Sequence, residues 1–69
     1  MRRYVIALKT GKKIKRARDE KGLTQEEVAA RAHIHVSTLG RIERGESNAP
    51  LQTLNKVAQS LRVKPKDLL

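Results

Sequence analysis

Two helix-start signals close together in the middle of this 69-residue chain constrain its fold more than anything else in it. Thr24 and Glu27 have the T-x-x-E spacing of a capping box, in which each residue satisfies a backbone N–H that a helix start leaves free. Leu23 and Val28 flank that cap as a hydrophobic staple, and Ile34 and Leu39 repeat the staple around His35. The chain therefore predicts one helix from Gln25 to about Ala32, with Val28, Ala29 and Ala32 inward, and a tight turn into another. The second ends at Gly45, where a missing side chain permits a left-handed residue. Its apolar residues, Leu39 and Ile42, lie on one side; Val36, Ser37, Gly40, Arg41 and Arg44 are expected on the other.

Two such short helices need further helices to cover their apolar faces, and the flanking sequence provides them. Thr10 reads as a cap for a helix over Lys12 to Lys21, with Ile14 and Ala17 inward and Gly22 as its stop. Gly11 disfavours a helix running through it, since a mid-helix Gly costs about 1 kcal/mol relative to Ala. Residues 1–9, with the apolar run Tyr4 to Leu8 behind two arginines, are accordingly set apart as a short arm ahead of a domain spanning 10–69, either strand-like or an early start of the first helix. After Glu46 to Ala49 comes Pro50, suited to the first turn of a helix. Leu51, Leu54, Val57, Ala58 and Leu61 then recur at helical spacing. Lys64-Pro65 opens a last short helix carrying Leu68 and Leu69. The expected fold is all-α, a compact five-helix bundle.

Charge narrows the partners. The net charge is +9, and nine of the sixteen Lys and Arg fall within residues 1–21, opposed there only by Asp19 and Glu20. Such asymmetry favours a polyanion. Tyr4 is the only aromatic residue, so the chain lacks the stacking platforms typical of single-strand and RNA binders. Duplex DNA is the expected partner. There is no cysteine, and His33 and His35 lack a credible third ligand, so neither a metal nor another cofactor is expected. No nucleophile–base pair, paired carboxylates or phosphate loop points to an enzyme. No apolar run reaches membrane-spanning length, and a cytoplasmic location is expected.

The linked segments Gly22 to Ala29, Ser37-Thr38-Leu39, Arg41 to Gly45 and Asn48 to Leu54 together resemble the phage repressor and Cro helix-turn-helix family, also called the xenobiotic-response-element family. The resemblance covers residues 10 to 69. It implies that the helix after the turn enters a DNA major groove while the one before it crosses the backbone. Val36, Ser37 and Arg41 match the family's base-contacting positions; Arg41 can pair with guanine and Val36 can pack on a thymine methyl. Gln25 matches a phosphate-contacting position, and His35, Arg44 and Asn48, together with Arg2 and Arg3 of the arm, are expected at phosphates as well. The resemblance also pairs Arg18 with Glu43 in a structural salt bridge.

The chain departs from the family pattern at His33, where the turn usually has Gly, and at His35, where Ser or Thr usually caps. Gly40 and Pro50 depart from it too. The function implied is a transcriptional regulator binding a symmetric operator as a homodimer, with the last helix, its preceding loop and Tyr4 to Leu8 as the dimer surface. Phage-like repressor, controller of a restriction-modification operon and antitoxin of a toxin pair are alternative roles. A protein-interaction module, whose apolar run and Leu68-Leu69 would bind a toxin or another regulator, is the competing class.

Overall fold

The computed structural model describes residues 2–69, and the side chains from Val5 onward. Helices α1 (Arg2–Glu20), α2 (Gln25–Ala32), α3 (Val36–Glu43) and α4 (Leu51–Leu61) are followed by a single 3-10 turn, Pro65–Leu68. The expected fifth α-helix is thus only that turn. Lys64 N–H donates to the Asp67 carboxylate at 3.2 Å, which caps the start of the turn. There is no strand among the described residues.

The first helix begins early. Of the two conformations open to the N-terminal segment, residues 2–9 take the helical one as the opening turns of α1, and the correction is that Thr10 lies inside the helix instead of capping it. Ala7, Thr10, Gly11, Ile14 and Arg18 recur at helical spacing and are all buried. Gly11 marks where α1 crosses the end of α3. A Cβ there would lie 2.6 Å from the Glu43 carbonyl oxygen and closer still to that of Ile42. Close approach of the two backbones offsets the propensity that argued against a continuous helix.

The core gathers Ile14, Val28, Ala29, Ala32, Leu39, Ile42, Leu54, Val57, Ala58, Leu61 and Leu68, with Leu23 and Ile34 packed at its margin. Both staples therefore reach into it. Helix α1 packs on α3, and α2 packs on α4. Each helix is followed by a left-handed residue: Gly22, His33, Gly45 and Arg62. At each end an amide further along returns to a carbonyl in the last turn, as in Leu23 N–H to Arg18 O at 3.1 Å and Ile34 N–H to Ala29 O at 3.0 Å. This closure satisfies carbonyls a helix end would leave free, and it redirects the chain sharply enough for a short turn. His33 adopts φ 57°, so the turn forms without the family's glycine.

Candidate nucleic-acid interface

Helix α3 is held from behind and open in front. Leu39 and Ile42 are buried, whereas Val36, Ser37, Arg41 and Arg44 are exposed. Val36 keeps 42% of its surface accessible, which a residue packing on a base methyl group requires. His35 occupies the cap position with extended backbone, and its side chain makes no capping hydrogen bond. Gly40 departs from expectation. It is buried beneath neighbouring side chains, and a Cβ there would lie 3.0 Å from Arg44 Nη1 and 3.9 Å from Gln25 Nε2.

The Glu43 carboxylate is the fixing point of α3. Arg18 donates to it twice, Nε to Oε2 at 2.7 Å and Nη2 to Oε1 at 3.0 Å, and Gln25 Nε2 donates to Oε1 at 2.9 Å. The Glu43 side chain is only 2% exposed. Arg18 also donates through Nη1 to the Leu23 carbonyl at 2.9 Å. Three helices thus meet at one carboxylate, and Arg18 ties the turn leading into α2 to the same cluster. The hydrogen bonding of Arg18 to Glu43 is the main reason its guanidinium is held above its ordinary pKa, against the opposing effect of burial. Planar, two-pronged pairing of this kind fixes direction as well as distance.

The start of α2 is similarly defined. Glu27 N–H donates to Thr24 Oγ1 at 3.0 Å, and Thr24 N–H donates to Glu27 Oε1 at 2.9 Å. The second of these bonds, above all, holds the Glu27 carboxyl below its ordinary pKa. Gln25 follows directly, so its amide reaches Glu43 from a rigid helix start. A side chain expected to meet only phosphate is therefore also a tie between α2 and α3.

The other expected contacts are dispersed. Arg44 is exposed and paired with Glu46, Nε to Oε2 at 2.6 Å and Nη2 to Oε1 at 3.3 Å. That hydrogen bond raises the Arg44 pKa and lowers that of Glu46. His35 and Asn48 are exposed, Asn48 beside a groove also lined by Ile6, Thr10 and Leu69. The side chains of Arg2, Arg3 and Tyr4 lie outside the described residues. Leu68, expected on a dimer surface, is instead a core residue, while Leu69 is 63% exposed. The 3-10 turn directs one inward and leaves the other out. Sequence reasoning missed Leu8, which touches Gly45 at the end of α3, and Glu46. A helix continued through Gly11 places Leu8 one turn before it, at the edge of the inward stripe of Ala7, Thr10 and Ile14.

A helix pinned at its back, carrying a short apolar residue, a hydroxyl and an arginine in front, and preceded by a tight turn from a capped helix, has the arrangement of the second helix of a helix-turn-helix motif. Comparison with known proteins agrees. A helix-turn-helix family model matches residues 14–68. Control protein C.BamHI of Bacillus amyloliquefaciens is 37% identical over 93% of this chain and 80% of its own length. An HTH-type transcriptional regulator, y4dJ, of Sinorhizobium fredii is 44% identical over 86% of this chain and 77% of its own. Among solved structures, the restriction-modification controller protein C.AhdI from Aeromonas hydrophila superposes with a TM-score of 0.89 at 33% identity, covering 91% of this chain and 96% of that one. The chain belongs to the Cro/C1-type helix-turn-helix family. It is a DNA-binding transcriptional regulator.

Proposed function

We propose that the protein acts as a twofold homodimer that reads a symmetric operator through α3, with Val36, Ser37 and Arg41 at base edges and Gln25, His35, Arg44 and Asn48 near phosphates. The observation that carries this reading is the exposed strip Val36–Ser37–Arg41 on a helix fixed from behind by Leu39, Ile42 and Glu43. One eight-residue helix reads too few base pairs for useful selectivity, which favours two copies on one site. Exposed Ile6 and Leu69, beside the groove that Asn48 and Ala49 also line, support a dimer contact on that side. Similarity to two control proteins favours the role of a controller of a restriction-modification operon over the other regulatory roles.

The test is a protein-binding array over random duplexes, followed by titration of the preferred site with wild type and Arg41→Ala. Loss of an arginine–guanine pair should cost about 1–3 kcal/mol and relax one base pair in each half-site. Half-sites should be centred ~10–10.5 bp apart. Equal weakening on preferred and random duplexes would remove Arg41 from base reading. A monomer by sedimentation, free and on the preferred site, would end the dimer reading.

A further inference from the structure

Beside α3 lies an open cleft of about 440 Å³ lined by Leu8, Lys12, Lys15, Gln25, Glu43 and Arg44. Continuity of α1 through Gly11 creates it. Leu8, Lys12 and Lys15 stand at i, i+4 and i+7 of one unbroken helix and so share a stripe. Lys13 and Arg16 face a different cleft, with Glu20, Val63 and Asp67, and the Lys13 ammonium donates to the Leu69 carbonyl. The four central basic residues of α1 are thereby split between two faces.

The charges within the cleft do not cancel. Glu43 is consumed by Arg18 and Gln25, and Arg44 is matched by Glu46. Asp19, the acid next along the α1 stripe, lies 3.5 Å from Arg18. Lys12 and Lys15 are exposed and have no salt-bridge partner among the described residues. The cleft also borders the reading helix directly. Gly40, the residue before Arg41, lies against Arg44 Nη1 and Gln25 Nε2, two of the groups that wall it. A duplex seated on α3 would bring a phosphodiester strand past the side on which the two unmatched ammonium groups stand.

We propose that Lys12 and Lys15 form a DNA-phosphate seat, with the Gln25 amide at its inner wall, which docks the backbone flanking the groove that α3 reads. The inference rests on the reading of α3 as the base-contacting helix. Both lysines are flexible point charges suited to phosphate and carry no base information. Their contribution is to affinity and salt dependence.

The experiment compares Lys12→Gln/Lys15→Gln with Lys13→Gln/Arg16→Gln, which removes the same charge from the same helix but from the other cleft. Fluorescence anisotropy against preferred and random duplexes, over a range of salt concentrations, gives log K against log salt. Each lost phosphate contact should lower the slope by about 0.9. The first pair should therefore flatten it by roughly 1.8 per bound subunit, about 3.6 for the dimer, and weaken both duplexes by a common factor, while the second pair leaves the slope near wild type. Far-UV circular dichroism melts of both pairs verify that each remains folded.

Equal flattening by the two pairs would show generalised attraction and overturn the seat, as would an unchanged slope in the first. Arg41→Ala, measured alongside, separates the two readings. If it leaves base preference intact while the first pair flattens the slope, Arg41 is not a base reader, and the contact of Lys12 and Lys15 with phosphate stands. If it relaxes preference while the first pair changes nothing, α3 stands and the seat falls.

Discussion

Substituting Gly11 by Ala isolates the contact on which the architecture of α1 depends. In an exposed helix interior this exchange stabilises by about 1 kcal/mol, because Ala restricts the unfolded chain and favours the helix. Here the new methyl would sit 2.6 Å from the Glu43 carbonyl oxygen, 2.9 Å from its carbonyl carbon and nearer still to the Ile42 oxygen. Ordinary contact would require α1 and α3 to part by about an ångström. None of those atoms belongs to a side chain that could rotate away. The Ile42 carbonyl is also tied to Gly45 N–H at 3.0 Å. Overpacking of this kind typically costs about 1–3 kcal/mol, and rigid neighbours place this case at the upper end, so the net loss should be ~2 kcal/mol after the helix gain. For a domain of this size each lost kcal/mol lowers Tm by roughly 4–8 °C. Thermal and urea melts followed by circular dichroism would measure it. A Gly11→Ala protein melting at or above wild type would refute the crossing and make Gly11 an incidental residue in α1.

Gly40→Ala should behave in the opposite way: its only tight neighbour is the movable Arg44 tip at 3.0 Å, so the helix gain of about 1 kcal/mol should survive largely intact as a higher Tm. Arg18→Ala should cost about 3–5 kcal/mol by leaving the Glu43 carboxylate buried without its charged partner, and urea melts at neutral pH would measure the loss. Acid titration provides a further test. The Glu27 carboxyl is held below its ordinary pKa, so its contribution is present above the unfolded-state pKa and is lost as pH falls through the lowered folded value. Glu27→Gln, which can still cap, should therefore show a shallower loss of stability with acid than wild type when melts are compared across that range. An unchanged acid limb would remove Glu27 from it.

What the sequence made legible follows from range. Thr24 with Glu27, the two staples and the glycines after α1 and α3 act within a few residues of themselves, and their local chemistry predicts α2, α3 and both turns. Gly11 and Leu68 depend on contacts distant in sequence. A glycine that weakens an isolated helix and one that admits a crossing helix look identical until the partner, the end of α3, is placed. Leu68 similarly follows from a 3-10 turn closed by Lys64 and Asp67, which brings one of two adjacent leucines inside. Within the interface, the outward positions of Val36, Ser37 and Arg41 were readable from α3 periodicity. Periodicity alone did not show Gly40 beneath Arg44, Gln25 tied to Glu43, or Arg44 matched by Glu46, because those features depend on where long side chains end.

The Glu43 cluster links stability to DNA reading through direction. Arg18 and Gln25 approach the carboxylate from α1 and α2, the two helices that flank α3, and they fix the rotation of α3 about its own axis. That rotation determines whether Val36, Ser37 and Arg41 face outward together. Leu39 and Ile42 bury apolar surface, but such packing is less directional than a two-pronged guanidinium–carboxylate pair. An exposed ion pair could not serve as well, since solvent and salt screen it. A 2%-exposed carboxylate with three donated hydrogen bonds keeps its geometry while the surrounding ionic strength changes. The phosphate-facing lysines gain from the opposite placement. They are exposed, movable and sensitive to salt, so docking strength can vary without turning the reading helix. The fold thus assigns orientation to a buried pair and attraction to surface charges, with Gln25 at the boundary between them.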